Sequence, residues 1–132
     1  MRRGGQSKKR LAETYAARGI LDDALIEAEE AYRLAPWHAR ALGVLAAVWT
    51  RLGRADEASG LLTALTSAAP FGMMLYHLLV SDIEAAADWY EKSIQQRETF
   101  AVVYFRAPIL KSLRESPRWP ALAKMMNLPE SV

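Results

Sequence analysis

Residues that recur 34 positions apart constrain this chain more than any other feature. Leu11 and Leu45, Ala12 and Ala46, Gly19 and Gly53, Asp22 and Asp56, Ala24 and Ala58, and Pro36 and Pro70 are each separated by 34. Tyr15 and Trp49 hold one large aromatic slot at the same spacing. A fixed period of 20 to 50 residues marks units that cannot bury their own apolar face and therefore stack on their neighbours. The period divides the chain into a unit over about residues 5–36 and a second over 39–70. A shortened third unit covers 71–97, and a tail that breaks the pattern covers 98–132. A length of 132 residues corresponds to a single domain.

Within each unit the pattern reads as two helices. Over 7–18, Leu11, Ala12 and Tyr15 form one apolar stripe, and Gly19 then permits a tight turn. A second helix over 21–34 begins with Asp22 and Asp23, where the helix dipole favours negative charge. Ala24, Ala28 and Ala31 line its buried face with small residues, and Pro36 should stop it at Ala35. Unit two repeats this with helices over about 37–52 and 55–67, turned by Gly53. Its second helix carries a stripe of Ala58, Leu62 and Leu65 and is expected to end at Pro70. In unit three, Ser81-Asp82-Ile83-Glu84 matches the turn and helix start that Gly19 and Gly53 open. Ala58 and Ala86 are only 28 apart, so its first helix, over 71–80, has lost about six residues. That helix is apolar nearly all round, which implies burial, and His77 falls where Tyr15 and Trp49 stand.

The tail reads as short helices. Segments at 100–105 and 108–114 are followed by Ser116-Pro117, an N-cap with proline at the first helical position. Phe105, Ile109, Leu113, Trp119, Leu122 and Met126 need apolar cover, which the second helix of unit three offers around Trp89, Tyr90 and Ile94.

Because 34 residues is its period, the chain resembles the tetratricopeptide repeat (TPR) family. The tail narrows the resemblance to the C-terminal TPR region of bacterial signalling proteins, in which the repeats follow a nucleotide cyclase, a protein kinase or a winged-helix regulator. Ala86 with Trp89-Tyr90-Glu91-Lys92 carries it, together with Pro108, Leu110 and Leu113, and then Ser116-Pro117-Arg118-Trp119. That group commonly has an acidic residue before the first of those prolines, where this chain has Ala107. The resemblance covers about residues 7–129 and implies an all-α solenoid of antiparallel helix pairs with a C-terminal helical cap. It also implies a cytoplasmic, non-enzymatic scaffold for protein–protein interaction. A TPR subtype that reads acidic C-termini is excluded. Lys9 matches its first lysine, but Glu13 and Val44 stand where it needs asparagines, and Glu13 would repel a carboxylate.

Nothing in the residues carries chemistry. His38 and His77 lie 39 apart, and no HExxH, GxSxG or phosphate loop is present. The paired acids at 22–23, 56–57 and 82–84 occupy equivalent helix starts, so dipole complementarity explains them without a metal. No catalytic residue, metal or cofactor is expected. A net charge of +2 is too small to argue for nucleic acid. The basic run of Arg2, Arg3, Lys8, Lys9 and Arg10 lacks interleaved aromatics. The longest apolar run, 41–49, is far short of the ~20 residues of a membrane span. Cysteine is absent, which accords with a reducing compartment.

Stacking curves such an array and leaves an inner groove lined by first helices. Helical phase assigns to it Lys9, Glu13, Ala16, Arg40, Ala47, Thr50, Arg51, Leu75 and Leu78, with Trp37 a candidate exposed contact. The expected partner is a peptide or helix held in that groove. The alternatives are self-association of the third unit as a homodimer, or a sensor that holds an apolar small molecule. Leu75 and Leu78 decide between a partly exposed contact site and simple core.

Overall fold

The computed structural model describes residues 12, 13, 15, 16, 18–66 and 69–128. Among these residues the chain is all-helical, without a strand. Ala12, Glu13, Tyr15 and Ala16 are helical. They are followed by α1 (Leu21–Leu34), α2 (Ala39–Arg51), α3 (Ala55–Thr66), α4 (Pro70–Leu79) and α5 (Ile83–Gln95). The tail contributes α6 (Thr99–Val103), a 3-10 turn (Pro108–Leu110), α7 (Lys111–Arg114) and α8 (Trp119–Met125).

One turn geometry recurs. Gly19 and Gly53 have φ of 78° and 83°, and Ser81 has φ of 67°. At each, the following amide bonds back to a carbonyl five residues earlier: Ile20 to Tyr15, Arg54 to Trp49 and Asp82 to His77, all at 2.8 Å. This is a Schellman cap, in which a left-handed residue lets the chain satisfy the last helical carbonyls. Tyr15, Trp49 and His77 therefore occupy one equivalent position, although the last pair is only 28 residues apart. Arg97 (φ 58°) and Asn127 (φ 59°) end α5 and α8 in the same way. The turns are so short that α2 folds back against α3 and α4 against α5, as helical hairpins.

The core runs through α2 and α4. Every residue of α2 from Arg40 to Val48 is buried. It packs on α1, α3 and α4, and α4 packs in turn on α2, α3 and α5. The backbones of α2 and α4 touch at two glycines. A Cβ on Gly43 would collide with the carbonyl of Gly72, and one on Gly72 would lie 2.5 Å from the Ala39 oxygen and 2.7 Å from Leu65 Cδ1. Ala24, Ala28 and Ala31 are buried on α1, as their spacing implied.

Several boundaries differ from the sequence expectation. The helix expected from residue 37 starts at Ala39, because the His38 ring accepts the Arg40 amide at 3.2 Å and acts as N-cap. Pro70 does not end the second helix of unit two; it opens α4, where its missing N–H is no loss. Leu61, not Leu62, completes the buried stripe of α3 with Ala58 and Leu65. Helix α8 begins at Trp119 with Pro120 in its first turn. The Ser116 hydroxyl instead donates to the Leu113 carbonyl at 2.7 Å and so helps close α7.

The tail folds onto α5. Leu110, Leu113, Trp119 and Leu122 are buried, and Trp119 stacks on Tyr90 with ring centroids 6.1 Å apart. The Tyr90 hydroxyl donates to the Ala101 carbonyl at 2.5 Å, and burial pushes its pKa up, with Arg114 opposing. Arg118 reaches the carboxylates of Glu84 and Asp88 on α5 at 3.1 Å and 2.9 Å.

Two glycine substitutions should have opposite signs. Gly72→Ala forces α2 and α4 apart and should cost about 1–3 kcal/mol. Gly60→Ala, in α3 with open space where the Cβ would stand, should gain about 0.5–1 kcal/mol. Denaturant melts of the two variants beside the parent decide this. A Gly72→Ala protein as stable as the parent would contradict the close approach.

Candidate functional site

The residues expected to line a groove come together, but mostly inside the protein. Lys9 lies outside the described residues. Ala16 and Ala47 are fully buried. Leu75 and Leu78 are 1% and 7% exposed, so the expected partial exposure of this pair is corrected: both are core. The reason is that α4 is apolar on nearly every side and is packed on by α2, α3 and α5 together. Thr50 is half-buried; its hydroxyl donates to the Ala46 carbonyl at 2.9 Å and stands 3.3 Å from the Tyr76 hydroxyl. Arg51 is exposed, yet its Nη1 donates to the carbonyls of Ala16 at 2.5 Å and Leu79 at 3.4 Å. It thus ties three helical segments together near their C-terminal ends.

Glu13 and Arg40 form a buried ion pair, 4% and 5% exposed. Arg40 Nε donates to both carboxylate oxygens at 3.1 Å and 3.0 Å, and Nη2 donates to Oε2. The guanidinium also lies over two tail aromatics, 5.7 Å from the Phe100 ring centre and 4.7 Å from that of Tyr104. Burial alone would push the Arg40 pKa down. The Glu13 carboxylate and the nearby Tyr104 hydroxyl outweigh that and leave it raised. Both side chains, which helical phase had assigned to the groove, are buried and turned to each other.

An open cleft of about 380 Å³ lies nearby, at the starts of α2 and α4. Trp37, His38, Arg40, Phe71, Gly72, Glu98 and Phe100 are among the residues that line it. Pro36 breaks α1, so residues 36–38 turn outward and leave Trp37 76% exposed. Ala69 precedes α4 and offers no capping side chain, and Glu98 supplies the cap from the tail, its Oε1 accepting the Phe71 amide at 3.0 Å. Phe100 on α6 stands 5.5 Å from Phe71 and 6.1 Å from His38, with tilted rings. Sequence reasoning named Trp37 but missed Phe71, Glu98 and Phe100. The one available signal was α4's uncapped start at Ala69-Pro70, which requires an acceptor from elsewhere.

His77 is half-buried, with Nδ1 3.9 Å from the Asp82 carboxylate. Burial lowers its pKa and Asp82 opposes the shift. Asp82 itself caps α5 by accepting the Ala85 amide at 3.2 Å. Among the described residues no three His, Cys, Asp or Glu side chains gather as metal ligands. None of the described helices is long and apolar enough to cross a membrane. The chain matches no family model, no curated protein and no solved structure.

Breaking the ion pair should be costly. Glu13→Ala leaves a buried guanidinium uncompensated and should destabilise by about 3–5 kcal/mol. The double variant Glu13→Leu with Arg40→Met removes both charges and should recover most of that loss. Urea unfolding of the single and double variants measures the difference, and equal losses would mean that the pair is not desolvated.

Proposed function

We propose that this chain is a tetratricopeptide-like α-solenoid whose role is to bind another protein, without catalysis of its own. The observation that carries this reading is the repeated hairpin: one capped turn at Gly19, Gly53 and Ser81, with α2 stacked against α4. Stacked helix pairs build an extended surface from elements that are rigid because each neighbour buries the next. Polar groups that could perform chemistry are instead used as helix caps or as internal ties, as with His38, Asp82, Glu13 and Arg51. The partner is a peptide or helix, and a cytoplasmic setting goes with that reading.

The docking surface proposed here differs from the groove of the sequence expectation. It centres on the cleft beside Trp37, because the inner faces of α2 and α4 are filled. An aromatic-walled depression next to a solvent-exposed tryptophan has the composition of an interface anchor. A second reading, self-association, has one observation in its favour: Val102 and Val103 on α6 are 47% and 60% exposed.

A random-peptide display selection against the full chain tests the main reading. Enriched sequences should bind the purified protein in calorimetry at micromolar Kd, and Trp37→Ala should weaken them at least about tenfold. A selection without enrichment, from a protein that sediments as a dimer, would replace this reading with self-association.

A further inference from the structure

The cleft beside Trp37 is lined by aromatic rings and a carboxylate, with Arg40 buried in its wall and paired with Glu13. Trp37, His38, Phe71 and Phe100 give it π faces. The Phe100 ring meets Phe71 and His38 at interplanar angles of 43° and 42°, so neither neighbour lies flat against it. Glu98 supplies the charge. Its Oε1 accepts the Phe71 amide, and its Oε2 makes no hydrogen bond with a described residue.

Arg40, the basic residue among the described lining, does not cancel that charge. Arg40 is 5% exposed, and its guanidinium is bonded to Glu13. His38 Nδ1 is engaged as the acceptor of the Arg40 amide. Among the described residues the cleft thus presents aromatic faces and the open oxygen of the Glu98 carboxylate.

Three classes of side chain could enter. An anion meets Glu98, which already occupies the start of α4. An apolar side chain would take water from Oε2 and return no hydrogen bond, which is unfavourable for a carboxylate. An organic cation is attracted by the negative faces of the rings and by the carboxylate together. We propose that the cleft is a subsite for a cationic side chain, the ammonium of lysine or the guanidinium of arginine, in a partner peptide. This rests on the reading of the chain as an interaction scaffold and gives its partner a chemical character: a basic residue that enters the cleft, flanked by contacts to Trp37.

Proton NMR of the full chain tests it, with four blocked tripeptides, acetyl-Gly-X-Gly-amide, as probes. X is arginine, lysine, norleucine or glutamate. The arginine and lysine probes should shift the Trp37 indole and Phe100 ring signals in a saturable way. The norleucine probe should bind at least about fivefold more weakly, and the glutamate probe should leave both signals in place. Glu98→Gln keeps an acceptor for the Phe71 amide while removing the charge, and should weaken the arginine probe about fivefold or more. Trp37→Ala lies outside every helix and at an exposed position, so its fold is secure; read at Phe100, it should weaken the same probe. Norleucine binding equal to arginine, or arginine binding unchanged in both variants, overturns the cationic subsite. So does the absence of binding by all four probes. In each case peptides enriched by display on the same protein would leave the scaffold reading standing.

Discussion

The distance between α2 and α4 is set by two glycines, and the rest of the structure depends on it. With no side chain at Gly43 or Gly72, the two backbones meet, and Leu65 of α3 fills the space beside Gly72. Close approach lets α4, apolar on nearly every side, be packed on by α2, α3 and α5 at once. That enclosure buries Met74, Leu75, Leu78 and Leu79. At about 25 cal/mol per Å² of apolar surface, it is the main contribution to stability that this part of the chain can make. The same closeness removes the open inner face that stacked first helices would otherwise offer.

Against this apolar centre the Glu13–Arg40 pair stands out. A buried ion pair is seldom a net gain over apolar residues of the same size, since desolvation offsets the attraction. Its value here lies in what it connects. Glu13 precedes α1, Arg40 lies in the first turn of α2, and Phe100 and Tyr104 belong to the tail. A guanidinium that must meet a carboxylate on one side and ring faces on another accepts few arrangements of those three parts, so the pair selects one docking of the tail.

The tail completes the structure in two ways. On α5 it covers apolar surface with Trp119, Leu113 and Leu122, and it satisfies the Tyr90 hydroxyl through the Ala101 carbonyl. At the other end of α6 it lends Glu98 to the uncapped start of α4 and sets Phe100 beside Phe71. The cleft is a by-product of that second service. The loop at 36–38, the start of α4 and the start of α6 converge there without filling the space between them.

Local signals in the sequence determined the helices, their turns and their buried alanine faces. A glycine at each long-unit turn and a proline two residues past α1 act within a few residues of where they stand. The match of Ser81 to Gly19 and Gly53 was legible too, and all three adopt the same left-handed turn. Helical phase also named the right residues at the centre of the molecule, yet it placed Glu13, Arg40, Leu75 and Leu78 facing outward. Phase tells which residues share a face, and it cannot tell what covers that face. The cover came from contacts between residues 27 or more apart: Arg40 with Glu13, and Phe71 with Glu98. Such pairs form only once the helices have stacked, so the closed inner face and the open cleft beside Trp37 were decided by tertiary structure alone.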